Sequence, residues 1–205
     1  MNEKQEKFII LRKIKYGESD LIIHALSSRG EKYSFMARGA LKSKKRFGGG
    51  ILDPLHYVTF TYKEHSDVMK MKSLTEAILI DDFKEIRHDY DRLELGLYIL
   101  NAVSHVSQEG DTGSEFLFNL TGHSLRVLSH MQNLKLLKLH FCLKFLYQQG
   151  VMSIESWMSP FLKNKMSDSA LLAEDSEALK SVNEYLDSID LLVMQYIKTA
   201  DAGFS

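Results

Sequence analysis

The spacing of apolar residues changes from two positions to three or four near residue 81 of this 205-residue chain. In the stretches 57–62 and 68–72, polar and apolar side chains alternate, which buries one face of a β-strand and leaves the other in water. Beyond residue 81 the apolar residues recur with helical spacing. The change predicts an α+β protein with a β domain over residues 1–80 and an all-helical domain over residues 81–205.

Five strand-like segments are predicted in the β domain. They cover residues 8–14, 21–26, 32–37, 57–62 and 68–74. Turn residues separate the first three, and a stretch rich in glycine precedes the fourth. Five short strands with one long loop favour a five-stranded OB-fold-like β-barrel. A small open sandwich or an SH3-like barrel is also compatible with this pattern.

Several helices are predicted in the second domain. The first carries an apolar stripe made of Leu93, Leu97, Leu100 and Val103 or Ser104. A second helical run begins at Ser114 and Glu115. Residues 134–149 are apolar on nearly every side, so the third helix should be central. A polar stretch that ends near Asp168 indicates a loop, and one or two terminal helices should follow it.

A run of five cations within nine residues is the strongest indication of function. It consists of Arg38, Lys42, Lys44, Lys45 and Arg46. Glycines at 48–50 should make its far side flexible, so that the cations can adapt to an irregular polyanion. Residues 1–80 hold 15 Lys and Arg against 9 Asp and Glu, whereas residues 81–205 hold 11 against 18. This asymmetry favours nucleic acid as the partner over a merely solvated charge run.

Further cations and aromatic residues accompany the basic run. Arg12, Lys13 and Lys15 end the first predicted strand. The aromatic residues interleaved with the predicted strands are Tyr33, Phe35, Tyr57 and Tyr62. Cations that follow a phosphate backbone and aromatic faces that stack on bases are how single strands are held without sequence readout. In a barrel this small, half or more of these aromatic residues should point inward.

Composition indicates a globular protein outside the membrane and without a disulfide. No apolar run approaches the length that spans a bilayer, and the first seven residues are polar or charged, so we expect a cytoplasmic protein. The single Cys142 excludes an internal disulfide and a cysteine-rich zinc site within one chain. Cys142 lies in a densely apolar helix and is interpreted as a structural thiol.

The patterns that could indicate a catalytic or metal-binding site are weak. His88, Asp89 and Asp91 could share a divalent cation, but adjacent helical residues diverge by about 100°, and a helix start with acidic residues explains them better. His123, His130 and His140 lack ligand spacing and are expected to be packing or surface residues. The sequence contains no phosphate-cradling GxxxxGK[ST] motif.

Two short motifs carry a resemblance to a known family. The sequence YGESD at 16–20 and the sequence ARGA at 37–40 resemble the bacterial RecO recombination mediators, as do the basic loop and the glycines that follow it. The resemblance extends more loosely through residues 91–100 and 134–150. It implies an N-terminal OB-fold and a helical C-terminal domain.

The resemblance also implies a function without covalent chemistry. Such a protein binds single- and double-stranded DNA, anneals complementary strands, and helps to load the recombinase RecA together with RecR and the single-stranded-DNA-binding protein. The residues at matching positions, taken as DNA-binding, are Arg12, Lys13, Lys15, Arg38, Lys42, Lys44, Lys45 and Arg46. The helical half would hold the acidic, apolar-ended tail of the single-stranded-DNA-binding protein, with Lys135, Lys138 and Lys144 as candidate contacts.

One departure from the family concerns zinc. Many relatives carry a four-cysteine zinc module after the helix that resembles 134–150, whereas residues 151–160 contain no cysteine. We therefore predict no zinc and no other cofactor. The segment is expected to be rebuilt around apolar contacts of Ile154, Trp157 and Phe161.

Two other functions remain as alternatives. A protein adaptor would bind its partners through the acidic helical half and would not depend on the basic loop. A metal-dependent phosphohydrolase would use His88, Asp89 and Asp91 and would lose a divalent-dependent activity when His88 is replaced. The DNA-annealing mediator, which is not an enzyme, ranks first.

Overall fold

The computed structural model describes residues 3–64, 71–108 and 115–202. The chain divides into two compact units. The first contains Met1–Phe83 and Ser107–Asn119, and the second contains Lys84–Val106 and Leu120–Ser205. In the described residues, no helix combines the length and the apolar character needed to cross a bilayer.

The first unit is built on a five-stranded barrel. Its strands are β1 (Glu3–Tyr16), β2 (Asp20–Ser27), β3 (Lys32–Ala37), β4 (Tyr57–Lys63) and β5 (Lys72–Asp81). The order around the barrel is β1-β2-β3-β5-β4, and β1 pairs with β4 to complete the ring. Only the β3–β5 pair is parallel. This order confirms the predicted OB-fold-like barrel.

Alternation along the strands determines what enters the barrel core. In β4, Val58, Phe60 and Tyr62 are buried, whereas the residues between them are half-buried. Phe8 of β1 lies near the centre, with its ring 5.1 Å from that of Phe35 and 5.3 Å from that of Phe60. These aromatic rings fill the small interior because each buries a large apolar area.

Strand β1 is longer than its partner β4 and changes register. Its residues up to Ile9 pair with β4, whereas the residues from Arg12 to Tyr16 pair only with β2. A register shift between Ile10 and Arg12 leaves Leu11 as the extra residue of a β-bulge. The far end of β1 therefore forms a two-stranded ribbon with β2.

The fifth strand differs in extent from the prediction. It begins at Lys72 and runs to Asp81, seven residues beyond the predicted end at 74. Residues 68–70 of the predicted segment lie outside the described residues. The extension passes through Ile78, Leu79 and Ile80, whose continuous apolar character hides the period of two. The β4–β5 pair has two register shifts, and the one between Tyr57 and Val58 of β4 accommodates this stretch.

The second unit is helical. Its helices, the third of which begins in the first unit, are α1 (Lys84–Arg87), α2 (Tyr90–Val106), α3 (Glu115–Leu128), α4 (Leu134–Gln148), α5 (Ser159–Lys163), α6 (Ser169–Leu172) and α7 (Ser176–Ala202). Helix α4 is buried on nearly all sides and contacts α2, α5, α6 and α7. The prediction of a central third helix is therefore confirmed. The prediction that α3 begins at Ser114 falls on a residue outside the described ranges.

One helical prediction was wrong in part. The stripe predicted in α2 passes through Leu97, which is 46% exposed, whereas Leu95 and Ile99 are buried. Packing against α4 and α7 selects this second apolar face, which the sequence alone does not distinguish from the first. The prediction of one or two terminal helices is confirmed by α6 and by α7, a helix of 27 residues.

The segment between α4 and α7 is more ordered than predicted. The predicted polar loop, from Pro160 to near Asp168, contains most of α5 and a 3-10 turn, and Phe161 and Met166 are buried within it. A second 3-10 turn, which includes the buried Met158, directly precedes α5. These turns are too short to show a helical period. Trp157 stacks on Tyr185 at a ring-centroid distance of 4.0 Å, but Ile154 is 59% exposed, so its predicted packing role was wrong.

Candidate nucleic-acid interface

The basic run lies in the loop between β3 and β4, and apolar side chains anchor this loop to the barrel. Ala40, Phe47 and Leu52 are buried and belong to the barrel core. Leu55, at the end of the loop, is also buried, and its N–H donates to the Ile10 carbonyl at 3.0 Å. The cations between these anchors are thus held against one end of the barrel.

The two motifs that carry the family resemblance contact each other. The Gly39 N–H donates to the Asp20 carboxylate at 2.8 Å, and the Leu41 N–H donates to the Ser19 carbonyl at 2.9 Å. Gly39 has a positive φ of 66°, a conformation that favours glycine. The turn at 16–20 therefore determines where the basic loop leaves β3.

The glycines at 48–50 form a tight turn. A Cβ at Gly48 would lie 2.2 Å from the Lys44 carbonyl oxygen, so only glycine allows this close approach. Gly49 and Gly50 have positive φ angles of 68° and 73°. The Asp53 N–H then donates to the Gly50 carbonyl at 2.9 Å. These contacts explain on steric grounds why glycine occupies positions 48–50. The flexibility expected of this stretch stays a prediction.

Arg46 has contacts within the loop itself. Its guanidinium donates to the Arg38 carbonyl at 3.1 Å and lies 5.1 Å from the centre of the Phe47 ring. Its N–H donates to the Ser43 hydroxyl at 3.2 Å. Replacing Arg46 would therefore change the loop as well as its charge.

The β-bulge decides which β1 cations share a face. Lys13 lies opposite Ile23, and Lys15 lies opposite Leu21. Ile23 and Leu21 are core residues, so both lysines project from the inner face at the open end of the barrel. Arg12 is exposed and lies on the outer face of the same strand.

Lys13 and the basic loop border a cavity of about 540 Å³. Lys13, Lys42 and Lys44 line it. Apolar side chains and the backbone of the glycine turn complete the wall, namely Leu21, Ala40, Leu41, Phe47, Leu52 and residues 48–50. The Lys13 ammonium also forms an ion pair with Asp53. Lys15, Arg38, Lys45 and Arg46 are exposed but do not line the cavity.

The aromatic residues singled out in the sequence are mostly structural. Phe35 and Tyr62 are buried in the barrel core, so the expectation that half or more point inward is confirmed. The Tyr33 hydroxyl donates to Glu31 at 2.5 Å, and Lys72 lies 4.1 Å from the centre of its ring. Burial, reinforced by the hydrogen bond to Glu31, raises the pKa of Tyr33 well above its usual value. The Tyr57 ring lies 5.9 Å from that of Phe118.

Sequence reasoning missed one exposed aromatic residue at the basic end. Tyr16 is 55% exposed and follows Lys15 at the end of β1. Its position directly after three cations was the available signal. Its exposed ring offers the kind of face on which a base stacks.

In the helical unit, two of the three candidate lysines share a groove. The groove measures about 390 Å³ and is lined by Lys135 and Lys138 together with Asp91, Glu94, Leu95, Tyr98 and Leu134. Lys138 forms an ion pair with Asp190 at 2.5 Å and lies 4.4 Å from the centre of the Tyr98 ring. Lys144 instead donates to the Leu162 carbonyl at 3.1 Å, and burial lowers its pKa.

Of the residues considered for a metal site, Asp89 has a structural role at the start of a helix. The Asp89 carboxylate accepts a hydrogen bond from the Arg92 N–H at 3.0 Å and lies 3.7 Å from the Arg92 guanidinium. Asp89 thus caps the start of α2, and His88 beside it is exposed. In residues 3–64, 71–108 and 115–202, no three His, Cys, Asp or Glu side chains cluster as metal ligands.

Cys142 and His140 are buried, whereas the other two histidines singled out in the helices are exposed. Cys142 is fully buried, and burial raises its pKa to about 12. Its Sγ lies 3.3 Å from the Tyr98 hydroxyl. His140 is buried, and burial lowers its pKa to about 4. His123 and His130 are exposed.

Comparison with known proteins agrees with this architecture. Residues 1–83 match the family described as recombination protein O N terminal. The DNA repair protein RecO of Syntrophus aciditrophicus (strain SB) is 35% identical over 119 residues, which cover 57% of this chain and 44% of that protein. The RecO protein of Shouchella clausii (strain KSM-K16) is 26% identical over 145 residues, or 66% of this chain and 55% of that protein.

A longer match is found at lower identity. The DNA repair protein RecO of Macrococcus caseolyticus (strain JCSC5402) is 26% identical over 197 residues, which cover 90% of this chain and 76% of that protein. With most of the curated relatives, the chain aligns over about half of their length. The family match covers the strands and the basic loop, and the longer alignment continues through the helices, so residues 1–83 match the RecO family and the chain as a whole is similar to RecO proteins.

Proposed function

We propose that this chain is a DNA repair and recombination mediator that binds single- and double-stranded DNA at the loop end of its barrel. The observation that carries the proposal is the convergence of Lys13, Lys42 and Lys44 on one cavity, with further exposed cations around it. Buried anchors hold this loop in place, so the charge is concentrated on one end of the barrel. The relatives are DNA repair proteins by name, which supports the same function.

The mechanism we propose is annealing of complementary strands without covalent chemistry. Two single strands repel each other through their phosphates, and cations that contact the backbone reduce this repulsion. Backbone contacts leave the base edges free to pair. The exposed lysines of the loop supply such contacts, and they require neither a nucleophile nor a metal.

The DNA-binding proposal is tested by the salt dependence of affinity. Fluorescence anisotropy of labelled single-stranded and duplex oligonucleotides is measured over a salt series for the native chain and for K42A/K44A/K45A. Arg46 is left intact because it supports the loop backbone. For single strands, the loss of three phosphate contacts should reduce the slope of log affinity against log salt by about 2.

The matched control removes three exposed lysines from the helical unit, in the variant K163A/K180A/K198A. It changes the net charge equally and should leave the salt slope within error of the native value. Equal slopes in the two variants would assign binding to general charge rather than to the loop. Absence of binding to either oligonucleotide at low salt would overturn the DNA-binding proposal and favour a protein adaptor.

We also propose that the helical unit receives the C-terminal tail of the single-stranded-DNA-binding protein, and that the chain acts with RecR in loading the recombinase. The groove offers the apolar side chains of Leu95, Tyr98 and Leu134, and Lys135 is exposed at it. Asp91 and Glu94 also line it, so an acidic peptide would depend on Lys135 for a favourable charge contact. An acidic peptide with apolar terminal residues fits this combination of surfaces. Lys144 is not part of this site because it bonds to the Leu162 carbonyl.

A peptide-binding measurement tests the groove. A labelled acidic peptide that ends in apolar residues should bind the native chain, and K135A should weaken that binding several-fold. K180A removes an exposed lysine of α7 outside the groove and should bind as the native chain does. Equal affinities for K135A and K180A would remove Lys135 from the site.

A further inference from the structure

The cavity under the basic loop combines two chemical characters. Its wall contains the buried side chains of Leu21, Phe47 and Leu52, and Leu41 is 51% exposed beside them. Three lysines, Lys13, Lys42 and Lys44, lie around the same space, against one carboxylate, that of Asp53. An occupant therefore needs an apolar surface and a negative charge in one small molecule or segment.

The glycine turn keeps one side of this cavity free of side chains. A Cβ at Gly49 would have no heavy atom within 4 Å, so the backbone there borders open space. The cavity volume of about 540 Å³ lies within the usual range of small-molecule sites. It is large enough for a planar group to lie against the apolar wall while its charged end stays at the lysines.

We propose that this cavity holds one unstacked nucleotide of a single DNA strand. The base lies against Leu41 and the apolar wall, and its phosphate contacts Lys42 and Lys44. The inference rests on the proposed DNA-binding function and adds to it the part of the strand that is recognised. Inorganic phosphate alone would leave the apolar wall uncovered, and an apolar ligand would supply no negative charge to Lys42 and Lys44.

A single strand fits this cavity better than a duplex because the two forms of DNA differ in whether their base faces are accessible. In a duplex the base faces are stacked and unavailable, so a duplex can reach the lysines but cannot fill the cavity. A single strand can turn one base out of its stack at little cost. The cavity thus makes the barrel end prefer single strands, although its lysines by themselves would not distinguish the two forms.

The Lys13–Asp53 ion pair lies at this cavity, and a phosphate can replace the Asp53 carboxylate as the partner of Lys13. The side chain of Lys13 is 37% exposed and that of Asp53 is 34% exposed, so both remain accessible to solvent. A phosphate that enters competes with Asp53 for the Lys13 ammonium. Binding of the nucleotide therefore exchanges one partner of Lys13 for another.

The test compares single strands that carry the same phosphates with and without bases. A thymine oligonucleotide and an abasic backbone of equal length are titrated by anisotropy against the native chain, L41S and L79S. Leu79 lies on β5, is 42% exposed and does not line the cavity, so L79S is the matched control. The native chain should prefer the thymine strand by roughly tenfold, in the range of one base stacked on a protein surface.

The expected result is that L41S loses most of this preference while L79S keeps it, and that neither changes the salt slope. L41M, which restores apolar surface, should recover the preference, and L41Q replaces L41S if that variant does not fold. Salt-dependent binding without any preference in the native chain would overturn the cavity proposal and leave DNA binding intact. Equal loss in L41S and L79S would also overturn it, whereas no binding of either strand would overturn the DNA-binding function itself.

Discussion

The ammonium group of Lys13 is paired with the carboxylate of Asp53 across the cavity at the basic end of the barrel. Lys13 belongs to β1 and Asp53 to the loop that precedes β4, 40 residues later. The pair joins the basic loop to the barrel and also neutralises one of the cations that face the cavity. Because both groups are partly exposed, the pair itself contributes little to stability.

Replacing Asp53 by Asn should strengthen DNA binding. The substitution retains the shape of the side chain and removes the carboxylate that competes for Lys13. The phosphate contact to Lys13 then no longer displaces a carboxylate that must regain a cation, so the single-strand salt slope should steepen by about 0.7. Anisotropy titrations at several salt concentrations measure both quantities. Glu76→Gln, an exposed site on the same barrel, changes the net charge equally and should leave the slope unchanged. A D53N variant that binds like E76Q would mean that Lys13 does not contact DNA.

The turn at 48–50 should tolerate asparagine at one glycine and reject it at another. A side chain at Gly48 meets the Lys44 carbonyl oxygen, and rotation about its bonds does not move the Cβ away, so G48N should lower the free energy of unfolding by roughly 3 kcal/mol. Gly49 has a φ of 68° and open space around it, and asparagine accepts this conformation, so G49N should cost less than about 1 kcal/mol. Urea unfolding compares the two variants. Equal costs would contradict the close approach at Gly48.

The buried His140 should make the helical unit sensitive to acid. Burial lowers its pKa from 6.5 to about 4, with a further lowering from Lys144, while Asp168 acts in the opposite direction. Between these two values the unfolded chain binds more protons than the folded chain. Stability should therefore fall as the pH falls from about 6.5 to 4, by roughly 3 kcal/mol in total.

The contribution of His140 is isolated by two substitutions. H140Q keeps a polar side chain near the Ser169 hydroxyl, which lies 2.9 Å from Nδ1, but does not titrate. Its urea unfolding should depend less on pH than that of the native chain over this window. H88Q, at an exposed histidine, should retain the native dependence. A proton NMR titration that placed the pKa of His140 near 6.5 would contradict the prediction directly.

The single tryptophan should report on the segment that precedes α5. Trp157 stacks on Tyr185 of α7 with an interplanar angle of 10°, and its Nε1 donates to Glu155 at 3.2 Å. Y185L should shift the fluorescence emission to longer wavelength and lower stability by about 1 kcal/mol. Y90L, at a tyrosine that is 78% exposed, should leave the emission unchanged. An unchanged spectrum in Y185L would show that the rings do not stack in solution.

Local sequence patterns were sufficient to predict the architecture. Alternation around Phe60 marks a strand with one buried face, and the apolar residues on every side of 134–149 require a helix surrounded by others. Both depend on the period of the side chains along one element. The motifs at 16–20 and 37–40 likewise carried the resemblance to RecO proteins, and the structure shows them joined through the hydrogen bond between Gly39 and Asp20.

The arrangement of the candidate site depended on residues far apart in the sequence. Strict alternation from Phe8 and Ile10 would place Arg12 on the inner face of β1, but the bulge at Leu11 places Lys13 there instead. Likewise, Leu97 and Leu95 are equally apolar, and only packing between helices decides that Leu97 stays exposed.

The sequence by itself therefore determined the type of each main element and the concentration of charge in the basic loop, because both follow from neighbouring residues. Tertiary structure decided which lysines face the cavity, which aromatic rings are buried, and that Asp53 neutralises Lys13. The reason is that strand register and core packing bring together segments tens of residues apart, and the side-chain pattern of either segment alone does not specify its partner.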